Sequence, residues 1–266
     1  MKNELILPKG YLSFRDDARM QKIKLVTNGY SVASPKEIMK MVVRHGDKFP
    51  DVRDKNLSSN YGLAFNSKGD AKIIKDCSII KNLNFETRNY SREGIKISDE
   101  EFENISEENL YLTKKEIIGF QDESPFKLNP KSRLDNKIWN FLAEEEEVLK
   151  DYINFVFEGV KKRWDRDFAM GIRLDANTNG FYNCAGNVLP VSFNGLGVGA
   201  DFDINLMYSV KFLGIKTENK EVNDLEKIAF FHAFHDSMKK GEPFLYNENI
   251  FTPIPADKIS IKEMGK

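Results

Sequence analysis

Between Phe168 and Phe212 the chain alternates apolar and polar residues with a period of two. Phe202, Ile204, Leu206, Tyr208, Val210 and Phe212 fall on one side. Asp201, Asp203, Asn205, Ser209 and Lys211 fall on the other, and Met207 is the exception. Phe168, Met170, Ile172 and Leu174 repeat the pattern earlier, against Arg173 and Asp175. Successive Cβ atoms leave opposite faces of a strand, so a period of two marks half-buried strands rather than a helix. One wet face is the habit of antiparallel sheets. The block therefore demands a second, apolar layer to cover its inner face.

The covering layer is also written in the sequence. From Ser132 to Trp164 the residues Leu134, Ile138, Phe141, Leu142, Leu149, Tyr152, Ile153, Val156, Val160 and Trp164 keep a period near 3.6. This spacing predicts one long helix, on the order of 50 Å at ~1.5 Å per residue. Glu144-Glu145-Glu146-Glu147 within it reads as a solvated face, with Lys150 placed to pair with Glu146. Asn223 caps a second helix that runs to Lys240 and stops at Gly241.

In the N-terminal part, residues 22–33 read as a hairpin around Asn28-Gly29, a dipeptide suited to type I′ turns. Ser34-Pro35-Lys36-Glu37 starts a helix with a capping box and Pro in its first turn, and Gly46 ends it. Residues 47–60 read as a surface loop. Leu63–Phe65 and Ile73–Ile74 flank Asn66-Ser67-Lys68-Gly69-Asp70 as a second hairpin. Capping boxes at Ser98–Glu101 and Thr113–Glu116 start two more short helices. Asn177–Gly180 and the glycine-rich Asn194–Gly199 read as connections between strands, and 243–266 as an extended arm or edge strand.

The expected fold is α+β: antiparallel hairpins or a meander packed against one long helix and a C-terminal helix. Residues 1–130 form a hairpin-and-helix region. Residues 131–266 hold the long helix, the sheet, the C-terminal helix and the tail, the two regions integrated as one domain.

With 266 residues, 41% of them hydrophobic, the chain can bury one sizeable core. Its formal net charge is −1 although 30% of residues are charged, so it shows no electrostatic signature of a nucleic-acid binder. Cys77 and Cys184 have neither metal spacing nor a disulfide framework around them. The apolar run at the N-terminus is too short for a signal peptide, and no run approaches the ~18 residues of a membrane span. The expectation is a protein of the cytoplasm or of a virion, not secreted by a signal peptide and not inserted in a membrane. Twenty Phe and nine Tyr point to aromatic packing in a core or at subunit contacts.

Four motifs invite chemistry. Arg44-His45-Gly46-Asp47-Lys48-Phe49-Pro50 resembles the phosphate-binding signature of histidine acid phosphatases, with His235-Asp236 standing for their downstream pair. The resemblance implies His45 as nucleophile and the distal acid as proton donor. However, Lys48 stands where that family has Arg, losing the planar fork that grips phosphate. The capping box also places His45 in a helix's last turn, where a cation meets the negative helix end.

His232, His235 and Asp236 share one helix face and are metal-ligand types. Phe230, Phe231 and Phe234 surround them, so a packed histidine pair at an interface is the preferred reading. Asp175, Asp201 and Asp203 could converge across neighbouring strands and share a divalent cation, although a polar sheet face explains them without one. Gly195, Gly197 and Gly199 open no helix and so form no dinucleotide fingerprint.

The expectation is therefore a non-catalytic structural or assembly protein, a subunit of a larger complex such as a phage or virion component. It would bind protein partners, copies of itself or others, through Phe230, Phe231, Phe234 and Trp164, and need no cofactor. The competing expectation is a metal-dependent phosphodiester hydrolase using the clustered aspartates, with a divalent metal as cofactor. A histidine-phosphatase-like enzyme comes third.

Overall fold

The computed structural model describes residues 5–14, 16–51, 56–84, 87, 89–91, 94–122, 126–127, 136–165, 168–174, 187–194, 197–200, 211–216, 244–246 and 249–251. The architecture is α+β, as the sequence predicts.

The first departure comes early. Residues 22–33 are not a hairpin. Helix α1 (Ala18–Thr27) is followed by strand β2 (Tyr30–Val32), β1 being Tyr11–Leu12. Asp17 caps α1 by accepting from the Arg19 amide at 2.9 Å. The face of α1 turned to the core carries Ala18, Gln21 and Leu25, all fully buried. Gln21 earns its place there by two hydrogen bonds: its amide donates to the Asp16 carbonyl at 2.6 Å and its Oε1 accepts from the Phe212 amide at 3.0 Å. A polar residue in the stripe hid the helical period. Asn28-Gly29 then ends a helix instead of turning a hairpin, with Gly29 at φ +76°.

Helix α2 (Pro35–His45) forms as read. The Ser34 hydroxyl accepts from the Glu37 amide at 3.3 Å, and Glu37 accepts from the Ser34 amide at 2.7 Å. Gly46 follows it with φ −59°, so left-handed geometry is not why glycine sits there. Space is the reason: a Cβ would stand 2.6 Å from the Phe155 ring.

The main sheet carries strands in the order β10 (Gly171–Leu174), β12 (Gly197–Ala200), β11 (Asn187–Asn194), β3 (Leu57–Phe65), β4 (Ala71–Ile74), β7 (Asn109–Leu112). Short strands β5 (Tyr90–Ser91) and β6 (Gly94–Lys96) hang from β11. The predicted β3–β4 hairpin is present. Asn66 Oδ1 accepts from the amides of Lys68 and Asp70, and Gly69 takes φ +91°. Part of the expected surface loop, 57–60, is strand.

Of the glycine-rich connection, Asn194 and Gly197–Gly199 are strand: β12 pairs antiparallel with β11, Asn194 opposite Gly197. β10 pairs with β12 in parallel, which corrects the all-antiparallel expectation. A separate three-stranded sheet orders β1, β13 (Gly214–Lys216), β2. Ribbons pair β8 (Phe126–Lys127) with β9 (Phe168–Ala169), and β14 (Phe244–Tyr246) with β15 (Asn249–Phe251). The last of these places two short antiparallel strands in the segment read as an extended arm or edge strand.

Of the alternating block, Met170, Ile172 and Phe212 are buried as the period requires. Residues 202–210, the predicted helix 223–240 and the turn at 177–180 lie outside the described residues. Short helices α3 (Ser78–Lys81), α4 (Asp99–Glu103) and α5 (Lys114–Asp122) complete the N-terminal half. The last two begin at the predicted capping boxes.

The long helix is in fact two: α6 (Lys137–Ala143) and α7 (Glu146–Trp164). Asn136 caps α6 by accepting from the Ile138 and Trp139 amides. Glu144 breaks the run with φ +61°. The stripe of α7, from Leu149 through Tyr152, Ile153 and Val156 to Val160, packs with Ile38, Met39 and Val42 of α2 into one core that extends from Ala18 to Leu213. Each such side chain contributes roughly 1.5–3 kcal/mol on burial.

Candidate functional site

The densest ionisable cluster among the described residues sits where the helices meet the sheet, and it starts from an irregularity in β3. Pro190 faces Gly62 and Ser192 faces Ser58, so residues 59–61 oppose Val191 alone. Such a bulge bends a strand and re-aims a side chain. Here Ser59 donates to the Val191 carbonyl at 2.9 Å and accepts from the Tyr61 amide at 3.2 Å. The Ser58 and Ser192 hydroxyls meet at 2.8 Å.

The Tyr61 side chain then crosses to the α6–α7 junction, where its hydroxyl donates to Glu144 Oε1 at 2.5 Å. The other carboxylate oxygen faces two cations, Lys36 of α2 at 3.3 Å and Lys75, just after β4, at 3.5 Å.

These contacts belong to a longer chain of alternating charge. Glu108 meets Lys75 at 3.4 Å, Lys75 meets Glu144, Glu144 meets Lys36, Lys36 meets Glu145 at 2.9 Å, and Glu145 meets Lys40 at 3.3 Å. Three ammoniums face three carboxylates, so the chain is neutral. It ties α2, the α6–α7 junction, the end of β4 and the approach to β7 together.

Burial alone would raise the Glu144 pKa, but the Tyr61 hydrogen bond and the two lysines outweigh it and hold it below the usual carboxylate range. Burial, and next the bond to Glu144, push the Tyr61 phenol up. A carboxylate already accepting from a hydroxyl and an ammonium, with a second ammonium at ion-pair distance, is a poor base, and a phenol shifted upward is a poor acid near neutral pH. The cluster is built to hold, not to transfer protons. Beside it Asn60 donates to Asp76 at 2.9 Å, while its own Oδ1 is buried without a partner.

Of the residues singled out by sequence, His45 is the last of α2, as the capping box required. Its ring packs edge-on between Tyr11 at 6.0 Å and Phe49 at 6.2 Å, and the Lys48 and Phe49 amides turn back onto its carbonyl. Trp164 is the last residue of α7. Asp175, Asp201, Asp203, Phe230, Phe231, His232, Phe234, His235 and Asp236 lie outside the described residues. Among the described residues there is no group of three His, Cys, Asp or Glu placed to hold a metal, and no helix is long and apolar enough to cross a membrane.

Sequence reasoning missed Tyr61, Glu144, Lys36 and Lys75 as a unit. It placed Glu144 inside a continuous helix; the residue is exposed, as the solvated face at 144–147 required, but it stands at the helix break and carries the central carboxylate of the cluster. The only local hint was that four consecutive glutamates repel one another along one turn.

No family model matches the chain, and no curated protein matches it. A solved structure from Nanoarchaeota, from work on the accommodation of massive sequence variation by the C-type lectin fold, is similar. It covers 81% of this chain and 100% of its own, with a TM-score of 0.50 and 12% identity. The likeness is one of fold. It is a likeness of α+β architecture, and at that identity it carries no residue roles across.

Proposed function

We propose that this chain is a non-catalytic interaction protein that works as a subunit of a larger complex, of itself or with other proteins. One observation carries the reading: the alternating chain from Glu108 to Lys40 neutralises itself and fastens helices to sheet. Its residues make a stiff platform and offer no poised acid or base. By fold-level analogy, the C-type lectin fold of the Nanoarchaeota structure accommodates massive sequence variation, which suits a scaffold for interaction. A phage or virion component is one form such a subunit takes, with Phe230, Phe231, Phe234 and Trp164 as contact residues.

The test is native mass by light scattering over a concentration series, together with thermal shift in Mg²⁺ or Mn²⁺ for the natural chain and Asp203→Ala. The expected result is a defined multiple of 30.6 kDa, or a monomer whose melting ignores both metals. Metal-dependent stabilisation that Asp203→Ala abolishes, accompanied by phosphodiester turnover, would overturn the proposal in favour of a hydrolase.

A further inference from the structure

We infer that β7 is an interface between two copies of this chain, each adding its β7 antiparallel to the other's main sheet across a two-fold axis. The inference rests on the reading of the chain as an interaction protein, and it names the partner as a second copy.

β7 closes one end of the main sheet, and among the described residues it pairs only with β4. The register shows which backbone groups are left over. The Lys75 amide donates to the Glu108 carbonyl at 2.8 Å, and Ile73 and Ala71 then stand opposite Leu110 and Leu112. Glu108, Leu110 and Leu112 therefore turn their amides and carbonyls toward β4, whereas Asn109 and Tyr111 turn theirs outward. No described residue bonds those outward groups. Such a row is a template for another strand.

The edge is already ordered. Asp70 accepts from the Tyr111 hydroxyl at 3.0 Å and from the Lys114 amide at 2.9 Å. The Tyr111 ring meets Phe102 of α4 at 6.5 Å and is still 43% exposed. An edge held in this way loses little freedom on pairing.

Charge selects the occupant. Glu107-Glu108 precede the strand and Lys114-Lys115 follow it, and Glu108 and both lysines are exposed. A parallel neighbour of the same sequence sets glutamate against glutamate and lysine against lysine. An antiparallel one sets glutamates against lysines at both ends. With the two-fold axis at Leu110, Asn109 of one copy faces Tyr111 of the other, and every outward amide and carbonyl of these two residues finds a partner. Glu108 then lies diagonally across from Lys114 of the other copy, within reach of long side chains, and the two Tyr111 rings meet diagonally beside the axis.

The test is sedimentation equilibrium at pH 7 and low salt. It uses the full-length natural chain, Glu108→Lys, Lys114→Glu, an equal mixture of those two, and Asn109→Pro, with circular dichroism to confirm that each folds. The natural chain should form a dimer of twice 30.6 kDa. Either charge variant should raise the dimer dissociation constant roughly tenfold or more, because the two-fold repeats each altered contact. Within one copy the Glu108 contact to Lys75 matters little, since the Glu108 side chain is 66% exposed. The mixture should dimerise again, because each variant supplies the charge that the other has lost. Asn109→Pro removes an outward amide without touching the ladder to β4, and should leave a monomer. A dimer indifferent to any of these variants overturns the inference while leaving self-association through another surface. So does a natural chain that stays monomeric at every concentration, which leaves the interaction reading to a different partner. A mixture that stays monomeric refutes the antiparallel match. The interaction reading itself falls only to metal-dependent phosphodiester turnover.

Discussion

The contact between Tyr61 and Glu144 can be isolated by a double-mutant cycle of Tyr61→Phe, Glu144→Gln and the pair. Tyr61 is 1% exposed, and its hydroxyl donates to a carboxylate at 2.5 Å. A hydrogen bond to a charged group contributes about 1.5–3 kcal/mol. Lys36 and Lys75 sit at 3.3 and 3.5 Å with side chains 25% and 30% exposed, so each adds at most about 1 kcal/mol. Tyr61→Phe should therefore cost about 1.5–3 kcal/mol and Glu144→Gln about 2–4, with a coupling of at least 1 kcal/mol between them.

The assay is urea unfolding at pH 7 followed by circular dichroism, with unchanged m-values as the control for an intact fold. A companion pair reads the backbone. At φ +61° Glu144→Gly should be less destabilising than Glu144→Ala by about 1 kcal/mol. Coupling below about 0.5 kcal/mol, with alanine equal to glycine, would refute the claim that this contact breaks the helix.

Three further perturbations follow from named contacts. Asp165, at φ +48°, ends α7 with a carboxylate at the helix's negative pole; Asp165→Gly should raise stability by about 0.5–1 kcal/mol in the same urea assay. Glu116 is held at a pKa of about 2, first by Lys137 and then by the Thr113 amide and hydroxyl. Its folded pKa is depressed, so its contribution is present above the ordinary carboxylate pKa and is lost as pH falls toward 2. Glu116→Gln should flatten the melting temperature against pH between about 4.5 and 2 relative to the natural chain, by less than about 1 kcal/mol because both partners are exposed. Gly46→Ala should cost about 1–3 kcal/mol by forcing Phe155 off the end of α2, and melting curves equal to the natural chain would show that α7 yields freely there.

Features decided within four residues were legible in the sequence. The capping boxes at Ser34, Ser98 and Thr113, and the Asn66–Asp70 turn, depend on a side chain and an amide three or four positions apart, and all of them formed. The β-period of Met170 and Ile172 was equally plain, because alternation needs only a covered face.

What stayed hidden depends on partners far along the chain. Gln21 sits in the core with its Oε1 satisfied by the Phe212 amide, 191 residues away, so the stripe of α1 could not be seen as apolar. Glu144 stands at φ +61°, outside the helical region, where Tyr61 and Lys36, 83 and 108 residues away, bind its carboxylate. By propensity alone a glutamate continues a helix. Parallel pairing of β10 with β12 is decided by the path of the intervening chain, on which the two-residue period is silent. The sequence by itself determined where helices begin, which strands have an inner face and that the fold is α+β. The tertiary structure decided where the long helix breaks, which polar residues join the core and how charges align into one chain, since each of those is a balance struck between segments that meet only in the folded state.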